Sequence, residues 1–185
     1  PARWGFAALV GRLVELSTQE HSAALSLAVR LVANAQEAGD LTAWVMGEES
    51  AFYPPDALSH GIDLEQLAVV RVSDPASVPL AGARLVHSDG FGLVVLDLTA
   101  TQRLPDALLG RLVQEAQRHE ALVLCLTRKA ASVPSLGSLI SLRAEASRKK
   151  LGTDRFVCAV KALKDKRHGA GWTHEEVLHG APGLH

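Results

Sequence analysis

The eight residues TQEHSAAL, Thr18 to Leu25, follow the apolar run GRLVEL and lead into a helix-patterned stretch, a position from which a chain can grip phosphate. A loop that does so wraps phosphate in backbone N–H groups. It needs glycine where φ is positive or the backbone touches the ligand, a lysine for the terminal phosphates and a Ser or Thr for magnesium. Here Thr18 stands at the first glycine position, Ala23 at the second, Ala24 at the lysine position and Leu25 at the magnesium-ligand position. Each lost charged hydrogen bond costs roughly 1.5–3 kcal/mol, so two such losses weaken a nucleotide by about two to four orders of magnitude. Glu20 and His21 add a negative charge and bulk where phosphate would sit. Taken alone, the stretch reads as the strand, loop and helix of an unrelated α/β fold, with no cofactor.

Other residues invite chemistry and are weighed on their spacing. Arg128 and Lys129 end an apolar run, and Arg148, Lys149 and Lys150 with Lys161, Lys164, Lys166 and Arg167 make a second basic cluster. Contacts from such groups to DNA phosphates are independent of sequence and sensitive to salt. The formal net charge of -1 gives no global bias toward nucleic acid, so DNA binding would be local and weak, or indirect. A lysine-rich turn on an edge hairpin also protects against edge-to-edge pairing. His168, His174 and His179 with Glu175 and Glu176 fit no standard ligand spacing, and no metal is expected there. Ser17 and Ser22 lie near His21, but nothing orients that histidine or supplies an oxyanion hole, so no triad is inferred. With aromatics at 4% of residues, Trp4, Trp44 and Trp172 read as packing anchors rather than a stacking platform for bases.

The elements that must position these residues alternate. Gly11–Leu16, Leu41–Gly47, Leu67–Val72, Gly92–Leu98 and Ala121–Thr127 are continuous apolar runs of the kind required by parallel strands covered on both faces. Ser22–Ala38 carries an apolar helical face with Gly39 as its stop, and Pro105–His119 reads as a helix with proline in its first turn. YPPDALSHGID is predicted as a turn with a short helix. After Thr127 the pattern changes: RKAASVPSLGS is loop-like, and SLRAEAS and RFVCAVKAL form two strands joined by RKKLGTD, where Gly152 and Asp154 supply turn chemistry. GWTHEEVLHG is predicted as a last edge strand. The expected fold is one α/β domain over residues 1–185, with a mostly parallel sheet, helices on both faces and an antiparallel C-terminal extension. No apolar run is long enough to span a bilayer, so no membrane is expected. Cys125 and Cys158 both lie in apolar runs, which fits reduced core thiols in a cytoplasmic protein. No signal peptide is visible, although a chain that begins at Pro1 leaves export unjudged from this end.

Collinearity across the chain adds a resemblance. GRLVELSTQEHSAALSL resembles the stretch of the bacterial recombinase RecA that carries its nucleotide loop; AWVMGEESA is similar to the strand ending in RecA's catalytic glutamate, which falls on Glu48. LSHGIDLEQL resembles the family's next segment, with Gly61, Ile62, Asp63 and Leu67 in matching places. GLVVLDL resembles the Walker B strand and puts its aspartate at Asp97, and VKALKDK is similar to a lysine-bearing strand that in RecA reaches a neighbouring subunit's ATP, here Lys164 and Lys166. The resemblance implies a RecA-like, P-loop-NTPase-type core with a degenerate Walker A loop, in which Glu48 and Asp97 are vestigial. RecA's nucleotide-sensing glutamine falls near Thr127, and both segments that carry its DNA-binding loops look shortened, to TATQRLP and RKAASVPSLG. RecA's polymerising N-terminal segment and a possible C-terminal tail are also missing from the pattern.

Such a core resembles the ImuA family of SOS-mutagenesis proteins. That resemblance implies a non-catalytic adaptor of damage-induced translesion DNA synthesis, with ImuB, RecA and an error-prone replicative-type DNA polymerase as partners, and possible inhibition of RecA filaments. Three rivals remain: a DNA-binding RecA paralogue in recombinational repair, a cell-division inhibitor of the SulA type, and a residual NTPase with a phosphate cradle not visible in the sequence.

Overall fold

A computed structural model describes residues 2–19, 21–50, 52, 60–101, 103–152 and 155–179, with the backbone alone for His21 and Ser22. Glu20, most of YPPDALSHGID with its expected short helix, and Asp154 lie outside the described residues. The strands are β1 (Leu13–Thr18), β2 (Thr42–Gly47), β3 (Leu67–Val72), β4 (Leu93–Asp97), β5 (Leu122–Arg128), β6 (Leu142–Lys150), β7 (Arg155–Asp165) and β8 (Thr173–His179). The helices are α1 (Phe6–Leu9), α2 (His21–Glu37), α3 (Val78–His87) and α4 (Asp106–Arg118).

All eight strands join one sheet in the order β3-β2-β4-β5-β1-β6-β7-β8. Every pairing from β3 across to β6 is parallel, whereas β6–β7 and β7–β8 are antiparallel. Strand composition follows from cover. β1 and β4 are buried at every position because helices lie on both sheet faces. Val14, Leu16, Trp44, Met46, Val95 and Leu124 pack with α2 on one face; Leu13, Val45, Leu96 and Cys125 pack with α3 and α4 on the other. β8, at the edge, alternates exposed and half-buried residues instead. This is the expected α/β architecture, including its antiparallel extension.

Local signals act as expected at several points. Gly39 takes φ +93°, and the Gly39 and Asp40 N–H groups donate to the Gln36 and Ala35 carbonyls, closing α2. Trp4, Trp44 and Trp172 are all core residues, and both cysteines are free and buried. Helix α3 was not anticipated: Val78, Gly82, Ala83 and Val86 form its buried face, and Gly82 lets it approach β4 so closely that an added Cβ would lie 2.3 Å from Leu96 Cδ2. The extension strands also run further than their apolar cores. Backbone pairing carries β6 through Arg148, Lys149 and Lys150, which are therefore strand residues rather than part of the turn. Among the described residues, no helix is long and apolar enough to cross a membrane.

Candidate functional site

Ligand sites of open parallel sheets form beyond the carboxyl ends of the strands. At that edge β1 ends at Thr18 and α2 begins at His21, so two residues connect them. Of TQEHSAAL, Thr18 is strand and His21–Leu25 already helix. The Ser17 and Thr18 hydroxyls donate to the Ala144 and Ala146 carbonyls, each at 3.2 Å, fastening the end of β1 to β6. Ala23 and Ala24 are 0% and 1% exposed, packed in the core under α2, and Leu25 is half-buried. A side chain at position 24 points into the core rather than toward the strand ends.

The next cleft along this edge, about 480 Å³, opens between the ends of β2 and β4 and contains the carboxylates of Glu48, Glu49 and Asp97. No basic side chain lines it among the described residues. Asp97 is already engaged: Ser50 Oγ donates to Oδ2 at 2.6 Å, and the Thr99 Oγ1 and N–H donate to Oδ1 at 2.9 and 3.2 Å. The carboxylate thereby caps its own turn and ties the two strand ends together. Glu48 is exposed, and its carbonyl accepts from Arg71 Nη1 at 3.3 Å. Two strand-end acids could coordinate a cation here, but among the described residues this cleft offers no cationic group for a polyphosphate.

Farther along, Glu15 lies fully buried in mid-strand. Its carboxylate accepts from Thr127 Oγ1 at 2.9 Å and the Leu136 N–H at 2.7 Å, and pairs with Lys129 Nζ at 2.8 Å. Lys129 also donates to the Pro134 carbonyl at 2.9 Å, while Arg143 donates to the Val133 and Ala130 carbonyls. This network pins the segment between β5 and β6. That segment in turn binds the one after β4, through the Leu104 N–H to the Leu136 carbonyl at 2.9 Å. The described parts of the two segments are thus packed together, with Leu104, Leu136 and Ile140 in the core. Thr127, the expected position of a sensor glutamine, is 1% exposed and held by Glu15.

The candidate basic residues fall in different surroundings. Lys129 is the clearest correction. Its side chain is 1% exposed and faces inward, because the buried Glu15 carboxylate requires a counter-charge. Arg128 is exposed beside it. Arg148, Lys149 and Lys150 lie at the tip end of the β6–β7 hairpin, with the Arg148 guanidinium stacked 3.4 Å over the Phe156 ring. Lys164 pairs opposite Arg143 at the root of the hairpin and donates to the Ser138 carbonyl at 3.1 Å. Five strand positions separate Arg143 from Arg148, roughly 17 Å. The single cluster read from the sequence is therefore spread along the hairpin, with Arg148–Lys150 at the tip, exposed Lys161 opposite Glu145 in between, and Lys164 with exposed Lys166 and Arg167 at the root. Burial shifts the Lys164 ammonium below its ordinary value, aided by the charge of Lys166.

Sequence reasoning missed the buried charges. Besides Glu15 and Arg143, Arg12 donates from Nη2 to Asp165 Oδ1 at 2.6 Å, and Trp172 Nε1 donates to the other Asp165 oxygen at 3.0 Å, joining the start of β1 to the end of β7. The available signal was a charged residue inside an otherwise apolar strand, as Glu15 is in LVELST.

No family model matches the chain. RecA of Synechocystis sp. is 29% identical over 165 residues, 89% of this chain and 41% of that protein. RecA of Rubrobacter xylanophilus is 34% identical over 90 residues, 49% of this chain and 26% of that protein, and RecA of Picosynechococcus sp. is 31% identical over 90 residues, again 49% and 26%. The chain spans less than half the length of these relatives. The similarity and the eight-stranded sheet together identify a RecA-like core.

Proposed function

We propose that this RecA-like core serves DNA repair as a protein-binding adaptor that does not grip ATP. The observation that carries the reading is the two-residue link between β1 and α2. A phosphate loop is concave because several residues stay out of the helix, and here the helix has consumed them. Buried Ala24 supports the same reading, since a lysine there would have to be buried before reaching any ligand. The acidic cleft at Glu48, Glu49 and Asp97 opposes a polyphosphate, and the pinned segments after β4 and β5 leave little free backbone to fold onto DNA. What remains is a RecA-like core, which would act by mimicking a protomer or capping a filament. With the resemblance to the ImuA family, the partners proposed are RecA, ImuB and an error-prone replicative-type polymerase. The test is calorimetry with magnesium-ATP beside pull-downs against RecA and ImuB, with and without ATP. No heat of nucleotide binding and capture indifferent to ATP are expected. Micromolar ATP affinity, or capture only with ATP, overturns the reading.

A second reading has an observation in its favour. Lys149 and Lys150 are exposed at the hairpin tip beside Arg148, where phosphate contacts are sterically open. Salt-dependent DNA binding that is lost on reversing both lysines to glutamate would make the chain a DNA-binding RecA paralogue.

A further inference from the structure

The parallel strands have a second edge, at their amino ends, remote from Thr18, Glu48 and Asp97. There the C-terminal ends of α3 and α4 come together. His87 is the last residue of α3, His119 caps α4, and Glu115 lies one turn before His119. His87 Nδ1 stands 3.1 Å from Glu115 Oε2, and His119 Nε2 stands 3.3 Å from the same oxygen. One donor atom from each residue lies within 4.8 Å of the other two. We propose that His87, Glu115 and His119 bind a divalent transition metal, zinc or an ion of similar preference, with water completing the shell.

Four observations support this. A tetrahedral zinc ion with bonds of about 2.0–2.2 Å separates its ligand atoms by about 3.3–3.6 Å, near the 3.1 and 3.3 Å edges to Glu115, and the exposed His87 ring can turn to set the third edge, which lies within 4.8 Å. His119 Nδ1 lies 2.8 Å from Asp89 Oδ1, and donation to that carboxylate leaves the lone pair on Nε2, the arrangement that orients and activates a metal-bound imidazole. Nε2 is buried with no hydrogen-bond partner, since its approach to Glu115 lacks the geometry of one. A cation between them would satisfy both the nitrogen and the carboxylate oxygen. Finally, both helices present their negative C-terminal ends to this site, which favours a cation there. The ion would join α3 to α4 as a structural clamp, independently of the proposed adaptor role.

The test titrates metal-free protein with Co2+ and reads visible absorption, followed by displacement with Zn2+. One tetrahedral Co2+ per chain and a rise in Tm with Zn2+ are expected. His87→Ala removes a ligand whose side chain is 60% exposed, and should weaken binding at least tenfold without altering the circular dichroism. Asp89→Asn, at a side chain 72% exposed, should weaken it by about 10- to 100-fold through His119. His174→Ala with His179→Ala should change nothing. Absence of a tetrahedral Co2+ spectrum, or binding that survives His87→Ala and disappears with the β8 histidines, overturns the proposal.

Discussion

Lys129→Met tests directly whether this lysine serves the interior or a ligand. The methionine keeps the apolar stem but removes the charge 2.8 Å from Glu15 Oε1. Breaking a buried ion pair by deleting one partner costs about 3–5 kcal/mol, because the remaining charge is stranded away from water. Glu15 would retain its bonds from Thr127 and the Leu136 N–H, with Arg143 Nε 4.0 Å away, so the lower end, about 3 kcal/mol, applies. At roughly 2–4 °C per kcal/mol for a chain of this size, Tm should fall by about 6–12 °C. The segment between β5 and β6 should also become sensitive to protease, since Lys129 holds the Pro134 carbonyl. Adding Glu15→Gln removes the stranded charge, so the double variant should be more stable than the two single losses summed. Thermal and urea unfolding of the four proteins read the cycle. A Tm change under about 2 °C for Lys129→Met, together with reduced DNA binding, would refute the inward placement.

Three further outcomes follow from the packing. Gly82→Ala drives a methyl against three atoms of Leu96, which is fully buried in β4 and would have to shift; a loss of about 1–3 kcal/mol in urea unfolding is expected. Asp165 is pushed up by burial, but hydrogen bonds from the Arg167 N–H, Arg12 and Trp172 outweigh this and hold it below its ordinary value of 3.8. A depressed folded value makes its stabilisation complete above the unfolded value and lost as pH falls through the folded one; acid unfolding should show that loss below about pH 4, and Asp165→Asn should remove that component. Asp97→Asn keeps an oxygen for Thr99 but puts an amide NH2, which only donates, where Oδ2 accepted from Ser50 Oγ, so stability should drop by about 1 kcal/mol while capture of protein partners is unchanged.

Several features were open to reading from residue order because they rest on local chemistry. The parallel strands announce themselves as continuous apolar runs since both faces are covered, and Gly39 marks the end of α2 since its positive φ excludes most side chains. Loss of the phosphate-loop residues in TQEHSAAL was equally plain, but the two-residue link was not, because the helix start depends on Ala23 and Ala24 packing against the sheet. Helix α3 escaped notice because Pro79, Gly82 and Pro75 just before it resemble turn residues, whereas the structure uses Pro79 in a first turn and Gly82 at a close approach. Lys129 looked like a surface cation because a lysine after a strand usually is one.

Residue types and their spacing determined by themselves the alternation of strands and helices, the doubly covered sheet, the antiparallel extension and the absence of the usual phosphate ligands, all of which depend on neighbours within a few residues. Tertiary structure alone decided which charges turn inward and which groups meet. Glu15 finds Lys129 and Arg143, Arg12 finds Asp165, and His87 finds Glu115 and His119 across separations of 28 to 153 residues. A charge in the core is stabilised only by a partner delivered at hydrogen-bond distance, and that delivery is set by strand order and helix packing rather than by any local pattern.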